Sequence, residues 1–195
     1  TLEDREIKSG YGEILKLMLT ERLADFESFE KQLASSNGQL LGDHLPGLIR
    51  RSLEIKKVII EQDEYEADLR RILNFGHTFG HAIETQSDYE VPHGLAVAWG
   101  IDLVNFLAAR KGLISRELQD RVAKVIRNHL SLPVGYTPEA QGLLSGIKKD
   151  KKSESSFVNL ILLHQEPFGL KVVPQTYDSG LLDGIRDYLS GPQPF

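Results

Sequence analysis

Cysteine is absent from this 195-residue chain, and methionine and tryptophan occur once each. Without thiols there are no disulfides and no thiolate chemistry, a composition that fits a reducing compartment. Any transition-metal site must then be assembled from imidazole and carboxylate, donors suited to zinc or iron. Long apolar runs are missing too. Nothing reaches the length of a bilayer span and there is no signal peptide, so no membrane partner is expected and the chain reads as cytoplasmic. Positive charge is not in excess, with 23 Lys and Arg against 28 Asp and Glu for a formal net charge of -5. The basic residues are scattered among acids, which argues against a nucleic-acid partner or an anionic surface. There is no internal repeat, low-complexity segment or linker, and no strand running into a glycine-rich phosphate turn. The chain opens on Thr1 in a charged helical pattern, without an initiator Met, and so reads as an excised domain.

What is present is ordinary in bulk, at 41% hydrophobic residues, and mainly helical in pattern. Helices are expected over 3–19, with a glycine-softened middle, and over 21–35, ended by the turn Ser36-Asn37-Gly38. A third is expected over 45–61, broken by Asp63 and Glu64, and a fourth over 65–86. Pro92-His93-Gly94 starts a long, small-residue-rich helix to about 111, and 115–130 supplies another with Ser115 as N-cap. A short helix to about 148 follows Thr137-Pro138-Glu139. β character comes late: 157–163 and 170–173, joined by HQEPFG, predict a hairpin before a last amphipathic helix, SGLLDGIRDYL. The expected architecture is one mainly α domain with a small β-hairpin near the C-terminus.

The sharpest signal lies in EADLRRILNFGHTFGHAIETQSDYEVPHG. On a continuous helix advancing about 100° per residue, Glu66, Arg70, Asn74, His77, His81 and Glu84 would share an arc of roughly 80°. The flanks (Leu69, Ile72, Leu73, Phe75, Phe79, Ala82, Ile83) are apolar, so the stripe would point polar groups into a largely buried environment, which is costly unless they are paired or bind something. His77 and His81 stand one turn apart, the logic of an HxxxH metal pair, although two hydrogen-bonded structural histidines would share that spacing. His93 at the start of the next helix, and Gly76, Gly80 and Gly94 allowing close backbone approach, favour a site.

In SGYGEILK, Glu13 and Lys16 stand one turn apart behind Gly10 and Gly12. A surface ion pair is the plain reading. Glycine inside a helix costs about 1 kcal/mol relative to alanine, however, and close approach to another helix or to a ligand would explain it. Glu13 could then supply the carboxylate that two imidazoles need for a three-ligand zinc. Lys56 sits among Arg50, Arg51 and Lys57, and Lys151 and Lys152 lie in a charged loop where a lysine could reach a phosphate.

SGYGEILK, the stretch EIKKVIIEQDEYEADLRRILNFGHTFGHAIE, HGLAVAWG and the late DKK before a strand resemble the C-terminal domain of the 3-dehydroquinate synthases, sugar phosphate cyclases of the shikimate pathway. The likeness covers nearly the whole chain, and LNFGHTFGHAIE at its fixed distance from HG is highly specific. It implies that 1–195 is a C-terminal domain holding zinc, or cobalt in its place, together with the substrate, and that the NAD-binding N-terminal domain is absent. The implied ligands are Glu13, His77 and His93. Lys16 and Lys56, Arg70 and Asn74, and Lys151 or Lys152 would hold the substrate's carboxylate, hydroxyls and phosphate, with His81 near the phosphate and the proton transfers. The implied reaction converts 3-deoxy-arabino-heptulosonate 7-phosphate to 3-dehydroquinate: NAD oxidises a secondary alcohol, phosphate leaves, the ketone is reduced again and the ring reopens and closes as a carbocycle. The resemblance also implies a homodimer, and a fragment inactive on its own. Leu95 and Ile101 depart from the family's usual HGEAVAxGM, and the loop continues as SESS without the usual glycine. Rival readings are a cyclase making a cyclitol from a neutral sugar phosphate, an iron-dependent alcohol or glycerol dehydrogenase, and a non-catalytic helical module with structural histidines.

Overall fold

The computed structural model describes residues 3–36, 39–65, 69–133, 135–150 and 156–191. Among them the chain runs α1 (Asp4–Met18), α2 (Leu23–Ser35), α3 (Leu45–Gln62), a 3-10 segment (Leu69–Asn74), α4 (His77–Gln86), α5 (His93–Arg110), α6 (Arg116–His129), α7 (Ala140–Asp150), β1 (Phe157–Gln165), β2 (Phe168–Thr176) and α8 (Ser179–Ser190). No helix among the described residues is long and apolar enough to cross a membrane.

The organising element is α5. Its sequence, HGLAVAWGIDLVNFLAAR, is apolar on nearly every face, and a helix without a polar side must be enclosed. Helices α1, α4, α6 and α8 and strand β1 pack around it. Ala96, Val97, Ala98, Trp99, Ile101 and Leu103 are all 1% exposed or less, and the Trp99 indole N–H donates to the Leu130 carbonyl at 3.0 Å. Small residues on α5 set the spacing. A Cβ at Gly12 would stand 1.9 Å from the Gly94 carbonyl oxygen, and one at Gly100 would stand 2.0 Å from that of Gly76. Helices α1 and α4 therefore meet α5 backbone to backbone.

The α2–α3 corner is held electrostatically. Arg51 forks onto both oxygens of the buried Asp25, at 2.9 Å each, and reaches Glu21 at 2.7 Å. Ser115 caps α6 by accepting from the Leu118 N–H at 3.1 Å, as its position predicts. The hairpin is antiparallel with Phe157 opposite Thr176 and Gln165 opposite Phe168, so its turn is only Glu166-Pro167, across a cis peptide bond. Its strands are longer, and its loop shorter, than the HQEPFG connection predicts, because His164 and Gly169 still pair across the ladder.

The continuous helix expected over 65–86 is corrected. The chain makes the 3-10 segment, turns at Phe75 and Gly76, and starts an α-helix only at His77. Gly76 has φ +77°, in the left-handed region that interrupts an α-helix, and a Cβ there would meet the Val97 carbonyl oxygen at 2.6 Å. Close seating on α5 fixes that conformation and overrides helical periodicity. Of the predicted stripe, His77, His81 and Glu84 share one helix, Arg70 and Asn74 belong to the 3-10 segment, and Glu66 lies outside the described residues.

Candidate metal and substrate site

Three helix segments deliver the polar residues. Glu13 and Lys16 come from α1, His77, His81 and Glu84 from α4, and His93 is the first residue of α5. The Gly12–Gly94 crossing places Glu13 and His93, each one residue from a touching glycine, on the same side of that contact. Ser9 strengthens the crossing, its hydroxyl accepting from the Gly94 N–H at 2.8 Å.

Donor atoms of Glu13, His77 and His93 lie within 4.8 Å of one another, a grouping able to hold a metal ion. His93 Nε2 is 3.7 Å from Glu13 Oε1, and the His77 and His93 ring centres are 5.1 Å apart. His77 Nδ1 lies 3.2 Å from the Phe75 carbonyl, which can only accept, so the hydrogen is on Nδ1 and the Nε2 lone pair is free. Burial first, then the Lys16 charge, lowers the His77 pKa to about 4, against smaller opposing effects of the Phe75 hydrogen bond and Glu13. The ring is therefore neutral at pH 7, the form that ligates metals.

Lys16 is buried at 6% exposure and donates to Glu13 Oε2 at 2.8 Å, so the pair is no surface ion pair. Burial lowers the Lys16 pKa, the Glu13 charge and hydrogen bond oppose that, and the Lys56 charge lowers it further. Burial raises the Glu13 pKa, but the Lys16 charge and hydrogen bond, with His77 and His93, outweigh it and bring the carboxyl below its ordinary value. The second carboxylate oxygen of Glu13 differs. Among the described residues, Oε1 is buried with no hydrogen-bond partner. A buried, unpaired carboxylate oxygen is costly, and a cation between it and two imidazoles would satisfy it. The donor set therefore fits a divalent metal of zinc type.

Of the other sequence-predicted residues, His81 stands beside this group. His81 has its ring centre 5.4 Å from that of His77 and 6.0 Å from that of His93. Lys56, exposed on α3, acts on Lys16 through charge. Arg70 Nη1 donates to the Glu64 carbonyl at 3.0 Å, and its backbone N–H to Asp63 Oδ2 at 2.8 Å, so this arginine braces the α3 exit. Asn74 is exposed at the end of the 3-10 segment. Lys151 and Lys152 lie outside the described residues.

Sequence reasoning left two features without a role. Glu84, three residues after His81 on the predicted stripe, accepts from His93 Nδ1 at 3.1 Å. Asp102 and Asn105 are fully buried on α5; Tyr188 donates to Asp102 Oδ2 at 2.9 Å and Arg127 stands 3.9 Å from that oxygen. An Asp and an Asn at i and i+3 in an apolar helix were the available signal.

The family described as 3-dehydroquinate synthase C-terminal matches residues 10–153. The chain belongs to this family. Curated relatives named 3-dehydroquinate synthase include that of Corynebacterium diphtheriae, 40% identical over 165 residues, covering 84% of this chain and 45% of the relative. That of Campylobacter concisus is 36% identical over 166 residues, covering 83% and 46%. The chain thus spans about half the length of the curated relatives it matches. Among solved structures, 2-epi-5-epi-valiolone synthase from Streptomyces hygroscopicus, with NAD+ and Zn2+ bound, superimposes with a TM-score of 0.78 at 23% identity, covering 97% of this chain and 52% of that one. A 2-deoxy-scyllo-inosose synthase complexed with carbaglucose-6-phosphate, NAD+ and Co2+ gives 0.77 at 22% identity, covering 94% and 51%. At such identities the superpositions establish the fold: this chain shares its architecture with about half of each of these two synthases.

Proposed function

We propose that this chain is the metal- and substrate-binding part of a 3-dehydroquinate synthase, a phosphate-eliminating lyase that converts 3-deoxy-arabino-heptulosonate 7-phosphate to 3-dehydroquinate. The convergence of Glu13, His77 and His93 around an unpartnered carboxylate oxygen carries the reading. These three residues hold one zinc, or cobalt in its place; the bound ion supplies Lewis-acid polarisation and orientation of neighbouring substrate hydroxyls. NAD belongs to the complete enzyme and is held outside the described residues, which contain no strand leading into a glycine-rich turn.

The chain's own side chains supply charge and proton routes. Lys16 is held at Glu13 by a 2.8 Å hydrogen bond, and Lys56, close enough for its charge to act on Lys16, adds a second cation for an anionic substrate. Arg70 and Asn74 bind the sugar acid, His81 serves the phosphate end and proton transfer, and Lys151 or Lys152 reaches the phosphate. A cytoplasmic homodimer, with this domain inactive alone, completes the proposal. The test is the complete enzyme carrying this domain, assayed with NAD and zinc for phosphate release from the sugar acid phosphate. Turnover of the acid with poor use of a neutral seven-carbon sugar phosphate is expected. Efficient cyclisation of the neutral sugar, with little turnover of the acid, overturns the assignment.

A further inference from the structure

We infer that Glu84 is a positioning residue for His93, fixing the ring and its tautomer so that Nε2 is available as a metal donor on the side of Glu13 and His77. The inference rests on the metal reading above and adds a residue to it. His93 opens α5 with its side chain 45% exposed, so packing holds it weakly. Glu84 is only 13% exposed, rises from the last turn of α4 and meets His93 Nδ1 at 3.1 Å. A carboxylate accepts, so the hydrogen sits on Nδ1 and the lone pair is left on Nε2, the atom 3.7 Å from Glu13 Oε1. A neutral imidazole free in water prefers the opposite tautomer, with hydrogen on Nε2, which would offer no lone pair to an ion between these residues. Glu84 reverses that preference.

His77 solves the same problem with a different group. Its Nδ1 hydrogen goes to the Phe75 carbonyl, which a rigid turn holds in place. His93 is the first residue of its own helix, and among the described residues no carbonyl pairs with its ring, so a side chain serves instead. Because Glu84 shares α4 with His77, it also ties a ligand on α5 to the helix that carries the other imidazole. A carboxylate behind a ligating histidine orients the ring and raises its basicity, and its loss typically weakens metal binding by about 10- to 100-fold.

Donor atoms of His81, Glu84 and His93 also lie within 4.8 Å of one another, so Glu84 could instead be the ligand of a second ion. The experiment separates the two. Zinc affinity and stoichiometry are measured by chelator competition on the 195-residue chain and on Glu84→Ala and Glu84→Gln, with circular dichroism to confirm folding. Long-range proton–nitrogen spectra of the metal-free chain read the His93 tautomer directly. Positioning predicts one zinc per chain throughout, affinity lower by about 10- to 100-fold in Glu84→Ala, and a smaller loss in Glu84→Gln, whose amide oxygen still accepts. It also predicts hydrogen on His93 Nδ1 in the wild type and on Nε2 in Glu84→Ala. If Glu84→Ala does not fold, the wild-type tautomer and the Glu84→Gln affinity decide. Two zinc ions in the wild type and one in the variants overturn the inference, as does wild-type His93 protonated on Nε2. Zinc binding unchanged by Glu84→Ala overturns it while leaving the metal reading intact. A wild-type chain that takes up no zinc overturns both.

Discussion

Gly12 and Gly94 touch through their backbones, with no room for a side chain on either. A methyl group added to Gly12 would lie 1.9 Å from the Gly94 carbonyl oxygen, and one added to Gly94 would lie 1.8 Å from that of Ser9. The contact brings two helices of different polarity together at the metal ligands. One residue beyond Gly12 stands Glu13, and one residue before Gly94 stands His93. The spacing of the proposed metal donors is thus set by a packing feature that contains no donor.

Replacing Gly12 with alanine should force α1 away from α5. Relief must come from backbone movement, since the obstructing atoms are main chain, and overpacking of this kind costs about 3 kcal/mol. For a chain of this length the melting temperature should fall by roughly 6–12 °C. Gly10 is the control. Nothing lies within 4 Å of a Cβ there, so Gly10→Ala should gain about 0.5–1 kcal/mol from higher helix propensity. Thermal melts of the two variants check both signs, and equal losses would mean that the glycines serve flexibility rather than close approach.

Zinc should stabilise the wild-type chain. An ion that binds only the folded state contributes about 2.7 kcal/mol when present at a hundred times its dissociation constant, or roughly 5–10 °C in melting temperature at this size. His77→Ala removes a half-buried neutral imidazole from the donor group, and should abolish the shift. His44→Ala should retain it, because His44 pairs with the Tyr11 hydroxyl instead. Thermal shifts with and without zinc for the three proteins decide whether His77 is a ligand.

Legibility in the sequence followed the physics of each element. Helices α1, α3 and α6 were readable from periodicity and end signals such as Asp63 and Ser115, because local propensity and tertiary packing agree there. The 65–86 stretch misled because periodicity carries no information about which backbone a neighbouring helix can accept. Gly76 is set by contact with Val97 and Ile101, more than twenty residues away in sequence. Glu13, His77 and His93 were legible through family resemblance and chemically consistent residue types, and their donor atoms do converge. Glu84 remained without a role because its hydrogen bond spans two helices whose relative placement no local pattern specifies.

Arg51→Lys should loosen the α2–α3 corner. The guanidinium engages both oxygens of Asp25, a geometry that a lysine ammonium does not reproduce. Arg22 still meets Asp25 at 3.0 and 3.1 Å, so the carboxylate keeps a partner and the loss should be about 1.5 kcal/mol. Burial raises the Asp25 pKa, but the hydrogen bonds from Arg51 and Arg22 outweigh it and lower the pKa below 3.8. A carboxyl with a depressed folded pKa stabilises above its unfolded value and loses that stabilisation as the pH falls through the folded one. The Arg51→Lys deficit should therefore be full at pH 7 and shrink below about pH 4. Urea unfolding at the two pH values checks it.

Asp102 should make the chain less stable as pH rises from acid to neutral, opposite to Asp25. Burial raises its pKa from 3.8 to about 6, helped slightly by Asp120 and opposed by the Tyr188 hydrogen bond and the Arg127 charge. Between those two values the folded chain holds a proton that the unfolded chain has released, so raising the pH favours unfolding across that window. The displacement corresponds to about 3 kcal/mol, absent below pH 4 and fully present above pH 6. Asp102→Asn removes the titration and keeps an oxygen to accept from Tyr188. Its melting temperature should exceed that of the wild type by roughly 6–12 °C at pH 7.5 and match it at pH 4. A wild type that equals or exceeds the variant in stability at pH 7.5 would show that Asp102 is ionised at no cost in the folded core.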